Sequence, residues 1–269
     1  MAATVDEFRS LHVPGSPLVL TNAWDAGSAR LFENLGARAI ATTSAGVAWA
    51  NATPDGGALG PGPHLGLARR LLDHVRVPVT MDVENGYSPD PGVVARFLAE
   101  LAEIGVVGVN LEDSTDGVHR DVGEFAGFLR EVRAGLTARG ADLFVNARVD
   151  TYVLGVDEPT DRMLERAVAY VEAGADGIFL IGLRDLDVIA AACSSLTAPV
   201  NILAGNGSPA LHELARVGVA RVSVGSWLAR AAYSVALTAA AQLLEEGTFR
   251  DLALQASRFD LNRQMTPGT

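Results

Sequence analysis

The sequence predicts a (β/α)8 TIM barrel with additional C-terminal helices. Three observations carry that expectation. Short apolar runs rich in Val, Ile and Leu recur eight times, as buried parallel strands do. Stretches with apolar residues at three- and four-residue intervals separate them, and glycines close those stretches. Finally, 269 residues with 49% hydrophobic content and no compositional break match one barrel of about 250 residues.

The strand candidates are residues 18–22, 39–43, 77–82, 106–111, 143–147, 177–181, 200–203 and 221–224. Between them, residues 90–104, 122–138, 160–173 and 209–217 have helical periodicity, with Gly105, Gly140, Gly174 and Gly218 as stops. Residues 45–63 read as one long loop, and loops of that length are more often functional than idle. Two further helical segments follow, 229–244 and 249–263, which pack on their own barrel or on a neighbouring subunit. The whole chain, 1–269, is expected to form one domain.

Composition excludes several classes. A net charge of −11 argues against binding nucleic acid or an anionic membrane, since both need a basic footprint. Every basic residue is an arginine, so Schiff-base, pyridoxal-phosphate and P-loop chemistry, which need a lysine amine, are ruled out. Cys193 is the single cysteine, and the five histidines form no HExxH pair, which disfavours a zinc site. No apolar run is long enough for a bilayer and the N-terminal residues lack a leader pattern, so a cytoplasmic protein with small-molecule partners is expected.

The chemistry is expected at the C-terminal ends of the strands. Asp82-Val83-Glu84 closes the third strand candidate and Glu112-Asp113 the fourth, and acids there are costly unless paired or metal-bound. Alternation along a strand lets Asp82 and Glu84 share one side, with Asn110 and Glu112 beside them. Carboxylates with retained water suit Mg2+; the alternative is acids that cap helices or pair with arginines. Arg148, ending the fifth strand, can clamp a substrate carboxylate or stabilise an enolate, or pair with Asp150, Glu112 or Asp113. Small residues from Thr42 to Gly46 leave backbone amides free for an anion, and phosphate binding near Gly205 and Ser223 competes with simple helix capping.

Asn22-Ala-Trp-Asp25, Thr43-Ser-Ala-Gly46, Asp55, Met81-Asp-Val-Glu-Asn-Gly-Tyr87, Leu111-Glu-Asp113, Asn146-Ala-Arg148 and Pro199-Val-Asn201, in this order at strand ends, resemble the isocitrate lyase and phosphoenolpyruvate mutase superfamily. The resemblance implies Mg2+, a 2-oxo acid substrate and a bond broken or made through an enolate. By position it implies Asp82 as direct metal ligand, Glu84 and Glu112 on metal-bound water, and Asp55 as a loop acid near the metal. It implies Trp24, Ser44, Ala45 and Gly46 as the carboxylate cradle, Asn201 beside the substrate, and Arg148 on the enolate. It also implies a homotetramer, a dimer of dimers that exchange the C-terminal helix.

The sequence departs from the lyases of that group at three places. Residues 114–121 lack the Lys-Lys-Cys-Gly-His loop, leaving His119 as the candidate acid/base. Ile181 stands where those lyases place a glutamate, and Leu203 where they place a hydroxyl residue. Both losses imply a smaller substrate. The expected function is a Mg2+-dependent C–C lyase, decarboxylase or hydrolase on an oxaloacetate-like acid. The alternatives are P–C chemistry on a phosphonopyruvate-like acid, and a non-catalytic oxo-acid-binding barrel.

Overall fold

The computed structural model describes residues 3–248, 250, 252 and 260–266. The chain opens with α1 (Val5–Ser10), β1 (Leu18–Ala23), α2 (Ala26–Asn34), β2 (Ile40–Thr42), α3 (Ser44–Ala50), α4 (Pro61–His74) and β3 (Val79–Asp82). It continues through α5 (Pro91–Ile104), β4 (Gly108–Glu112), β5 (Ser114–Thr115), β6 (Val118–His119), α6 (Val122–Thr137) and β7 (Phe144–Val149). The last part holds α7 (Pro159–Glu172), β8 (Gly177–Leu180), α8 (Leu186–Ser195), β9 (Val200–Leu203), α9 (Leu211–Arg216), β10 (Arg221–Ser223), α10 (Trp227–Glu246) and α11 (Leu261–Met265).

Eight parallel strands close a barrel in the order β1-β10-β9-β8-β7-β4-β3-β2, and β5 pairs antiparallel with β6 as a separate hairpin. The expected eight strands are therefore these eight, with ends shifted by a few residues. Asp90 caps α5 by accepting from the amides of Gly92 and Val93, and Gly105 ends that helix at φ 111°. That φ is natural only for glycine. The stretch read as a loop over 45–63 is shorter than expected. Its first residues continue α3 and its last begin α4, leaving residues 51–60 over the barrel mouth. Ser44 to Ala48 are buried and helical, and Gly46 fits there because a Cβ would lie 2.9 Å from Trp24 Cβ and 3.1 Å from Ala229 Cβ.

Alternation divides the core in two. Met81, Val83, Val109, Leu111 and Ile202 face the helices, whereas Leu18, Leu20, Ala39, Ala41 and Phe144 face the barrel axis. Helix α1 closes the N-terminal end of the barrel: Phe8 is fully buried, edge-on to Phe144 at 5.5 Å, and His12 stacks on Phe144 at 4.3 Å. Gly108 makes room for this plug, since a Cβ there would lie 3.0 Å from Phe8 Cε1. No described helix is long and apolar enough to cross a membrane.

Segment 249–263 lies mostly outside the described residues, but α11 returns to the barrel, where Asn34 Nδ2 donates to the Gln264 carbonyl at 2.7 Å. Truncating the plug at Phe8→Ala is expected to lower stability by about 3–5 kcal/mol, as for a fully buried phenylalanine. Urea unfolding checks this, and a loss below about 1 kcal/mol would mean the barrel floor does not depend on α1.

Candidate active site

The C-terminal mouth of the barrel gathers acids from four elements. A cavity of about 250 Å³ is lined by Ser44, Asp55, Glu84, Glu112, Arg148 and Asp150 together with residues of the 51–60 loop, the β5–β6 hairpin and the turn after β7. Register explains the gathering: Asp82 pairs with Asn110 and, two residues further along β4, Glu112 pairs with Arg148, so adjacent strands bring their polar ends side by side.

Asp82 stands at the end of β3, held by its own amide donating to Thr42 Oγ1 at 2.9 Å. Its Oδ2 faces the Ser44 amide at 3.4 Å, while its Oδ1 is buried without a hydrogen-bond partner among the described residues. Glu84 is 6% exposed and sits at φ 51°, a left-handed conformation that costs a non-glycine residue about 1–2 kcal/mol. Its carboxyl is pushed up to about 7 by burial and then by the charges of Asp82 and Asp55. Glu112 is pushed up to about 8, because burial and the neighbouring acids outweigh the opposing pull of Arg148. Partial burial and the Asp82 charge raise Asp55 as well.

Against these acids the pocket wall supplies one cation. Arg148 Nη1 lies 2.6 Å from Glu112 Oε2, and its Nε donates to Asp150 Oδ1 at 2.6 Å. Of the three structural pairings considered for Arg148, those with Glu112 and Asp150 are made at the wall of the cavity, whereas Asp113 pairs with Arg166 instead. Ser114 Oγ donates to Asp150 as well, tying the hairpin to the same carboxylate.

The structure brings Asp55, Glu84, Glu112, Arg148 and Ser44 together on the cavity wall, with Asp82, not itself among the lining residues, beside Ser44. Ala45 and Gly46 lie behind Ser44, where a Cβ on Gly46 would meet Thr43 and Trp24 within 3 Å. Trp24 packs towards Phe32 and Tyr233. Asn201 lies deeper, in a belt of buried amides: Asn146 Nδ2 donates to Asn110 Oδ1 at 2.9 Å and Asn201 Oδ1 at 3.1 Å. Arg221 Nη2 joins the belt through Asn110 Oδ1 at 3.2 Å. His119 is not among the cavity-lining residues; its Nε2 faces Asp113 at 3.8 Å.

Asp113 resolves half of the second carboxylate run. It is fully buried and turned away from the mouth, accepting from Arg166 Nη1 at 2.9 Å, Tyr170 Oη at 2.8 Å and the Asp150 amide at 3.0 Å. Sequence reasoning pairs Asp150 with Arg148 but does not place it in the cavity; two residues past an inward arginine, it shares that arginine's face.

Among the described residues no three His, Cys, Asp or Glu side chains converge as a complete direct ligand set. A cation that keeps several waters and takes one or two carboxylates does not need such a set. The partnerless Asp82 Oδ1 amid mutually opposed acids fits that mode of binding. Because native Glu84 and Glu112 hold protons that the unfolded chain releases near pH 4.5, chelator-treated protein is expected to lose stability as pH rises from about 5 to 8. Urea midpoints across that range check the sign, and a rising midpoint would contradict it.

The phosphoenolpyruvate phosphomutase family profile matches residues 8–244. An uncharacterized protein of Mycobacterium tuberculosis (strain ATCC 25618 / H37Rv) is 38% identical over 87% of this chain and 86% of its own length. An oxaloacetate decarboxylase of Pseudomonas fluorescens (strain SBW25) is 30% identical over 81% of this chain and 77% of its own. A crystal structure of a candidate lyase/mutase from Burkholderia cenocepacia J2315 superposes with a TM-score of 0.90 at 36% identity, covering 98% of this chain and 96% of that one. With its barrel and its carboxylate-lined mouth, the chain is an enzyme of the phosphoenolpyruvate phosphomutase family.

Proposed function

We propose that this enzyme cleaves a C–C bond of a small 2-oxo acid of the oxaloacetate type, with Mg2+ bound at the barrel mouth. The observation that carries this reading is the charge imbalance of the cavity, where Asp55, Glu84, Glu112, Asp116 and Asp150 face one arginine. Such a wall repels a dianionic acid until a divalent cation offsets it. Asp82 would hold that cation directly, Glu84 and Glu112 through water, with Asp55 closing from the loop. When bound, Mg2+ polarises the 2-oxo group and withdraws charge from the forming enolate.

The chain's own residues supply the rest. The Ser44 amide and hydroxyl orient the substrate carboxylate beside Asp82, while Trp24, Ala45 and Gly46 back that wall. Arg148, held in place by Glu112 and Asp150, directs its guanidinium at the oxygen that gains charge. In decarboxylation the bond to the distal carboxylate breaks, carbon dioxide leaves, and the electron pair remains as the enolate of pyruvate. A proton delivered to the methylene carbon completes pyruvate. Ser114 lines the cavity, whereas His119 is not among its lining residues and faces Asp113. The oxaloacetate decarboxylase relative favours this acid over phosphonopyruvate.

Purified protein with Mg2+ and oxaloacetate is expected to release pyruvate, with Asp82→Ala lowering the rate at least about 100-fold, the scale of losing a first metal ligand or its support. Release from phosphonopyruvate alone would instead favour P–C hydrolysis, and unimpaired turnover by Asp82→Ala would remove the proposed site.

We also infer a homo-oligomer built on α10, whose 20 residues expose Trp227, Tyr233, Val235, Leu237 and Leu244 and bury only Ala229 and Ala239. Light scattering is expected to give a multiple of the 28.1 kDa chain, and Leu237→Asp a smaller species. A monomeric wild type would contradict this.

A further inference from the structure

The turn after β3 carries a feature that the metal site alone does not require. Tyr87, three residues beyond Glu84, places its hydroxyl 3.2 Å from Glu84 Oε1 and 2.7 Å from His64 Nε2. His64 is fully buried near the start of α4, its ring stacked on Tyr87 at 5.3 Å, and its Nδ1 has no partner among the described residues. A buried histidine on the apolar face of a helix gains nothing from burial unless it is used.

We propose that His64 and Tyr87 form a positioning pair that aims Glu84 at the cation, acting through Glu84 and touching neither cation nor substrate. This rests on the metal reading above. The Tyr87 hydroxyl has one proton, and against the carboxylate it donates to Glu84. Its oxygen is then free to accept, so the 2.7 Å contact requires the proton of His64 on Nε2. Burial keeps the imidazole neutral, which leaves Nδ1 as the bare nitrogen and accounts for its lack of a donor partner. The chain of bonds therefore runs one way, from α4 through the tyrosine to the carboxylate.

The backbone shows why such support is needed. Glu84 and Tyr87 both sit at positive φ, 51° and 62°, and Gly86 between them is at 86° with Val94 too close to admit a Cβ. Residues in sparsely populated conformations persist where surrounding contacts fix them, typically beside functional groups. Here Asn85 accepts the Tyr87 amide at 2.9 Å and donates to Thr115 at 3.1 Å, so turn, hairpin and α4 converge on the carboxylate.

The test is Mn2+ affinity, read by electron paramagnetic resonance on the full chain, for wild type, Asp82→Ala, Tyr87→Phe, His64→Leu, His64→Gln and the Tyr87→Phe/His64→Leu double variant. Tyr87→Phe and His64→Leu are each expected to weaken Mn2+ roughly tenfold, the scale of lost outer partners of a metal ligand. The double variant should lose no more than either single one, and His64→Gln, which retains an N–H donor, should recover most of the affinity. Circular dichroism melting separates this from misfolding, and should Tyr87→Phe fail to fold, the two His64 variants decide. Wild-type affinity in Tyr87→Phe, or additive losses in the double variant, would overturn the proposal while leaving the metal site standing. Failure of the wild type to bind Mn2+ would overturn both.

Discussion

Crowding of like charge at one end of a low-dielectric barrel is the constraint on which the rest of this molecule turns. Asp82, Glu84, Glu112 and Asp150 come from adjacent strand ends and cannot spread apart, since backbone register fixes them. Their mutual opposition is offset within the described residues mainly by Arg148, which is held so tightly between Glu112 and Asp150 that its own charge is favoured despite burial. From beneath, Arg221 lies fully buried with Nε and Nη1 lacking partners, and Asp82 is the acid whose charge favours it. A buried guanidinium without an adjacent carboxylate is expensive. It is tolerable here because the amide belt reaches it and the acids above share its field.

This arrangement separates two functions of carboxylates within a few residues. Glu112 and Asp113 are neighbours in sequence, yet alternation sends one into the cavity and the other outward to Arg166 and Tyr170. The outward acid is satisfied by Arg166, Tyr170 and the Asp150 amide; the inward one has its carboxyl pushed up by burial. Neighbouring carboxylates thus yield a structural clasp on one face and a cavity-lining acid on the other, decided by the pleat of the strand.

Much of this was legible in the sequence. Runs of Val, Ile and Leu gave the strands, Asp90 and Gly105 bracketed a helix as caps do, and the acids at residues 82, 84 and 112 stood where strand ends had to be. What was hidden depends on partners distant along the chain. Nothing local to Asp113 announces Arg166, 53 residues on, and nothing local to His64 announces Tyr87, 23 residues on. The plug formed by α1 was invisible because six residues are too few to show periodicity, and the hairpin because its strands have two residues each. His119 was plausible by type, since imidazole titrates near neutrality; only geometry reveals that it looks towards Asp113.

The left-handed backbone at Glu84 has a consequence for how this protein can change over generations. Asparagine, aspartate and glycine accept that conformation most readily, so drift at this position is steered towards shorter side chains. Each of them retracts from the Tyr87 hydroxyl. A lineage that relaxes the turn therefore gives up reach, and one that keeps reach must keep the strain. The longer carboxylate thus keeps its bond to Tyr87 only together with the strain of the turn that carries it.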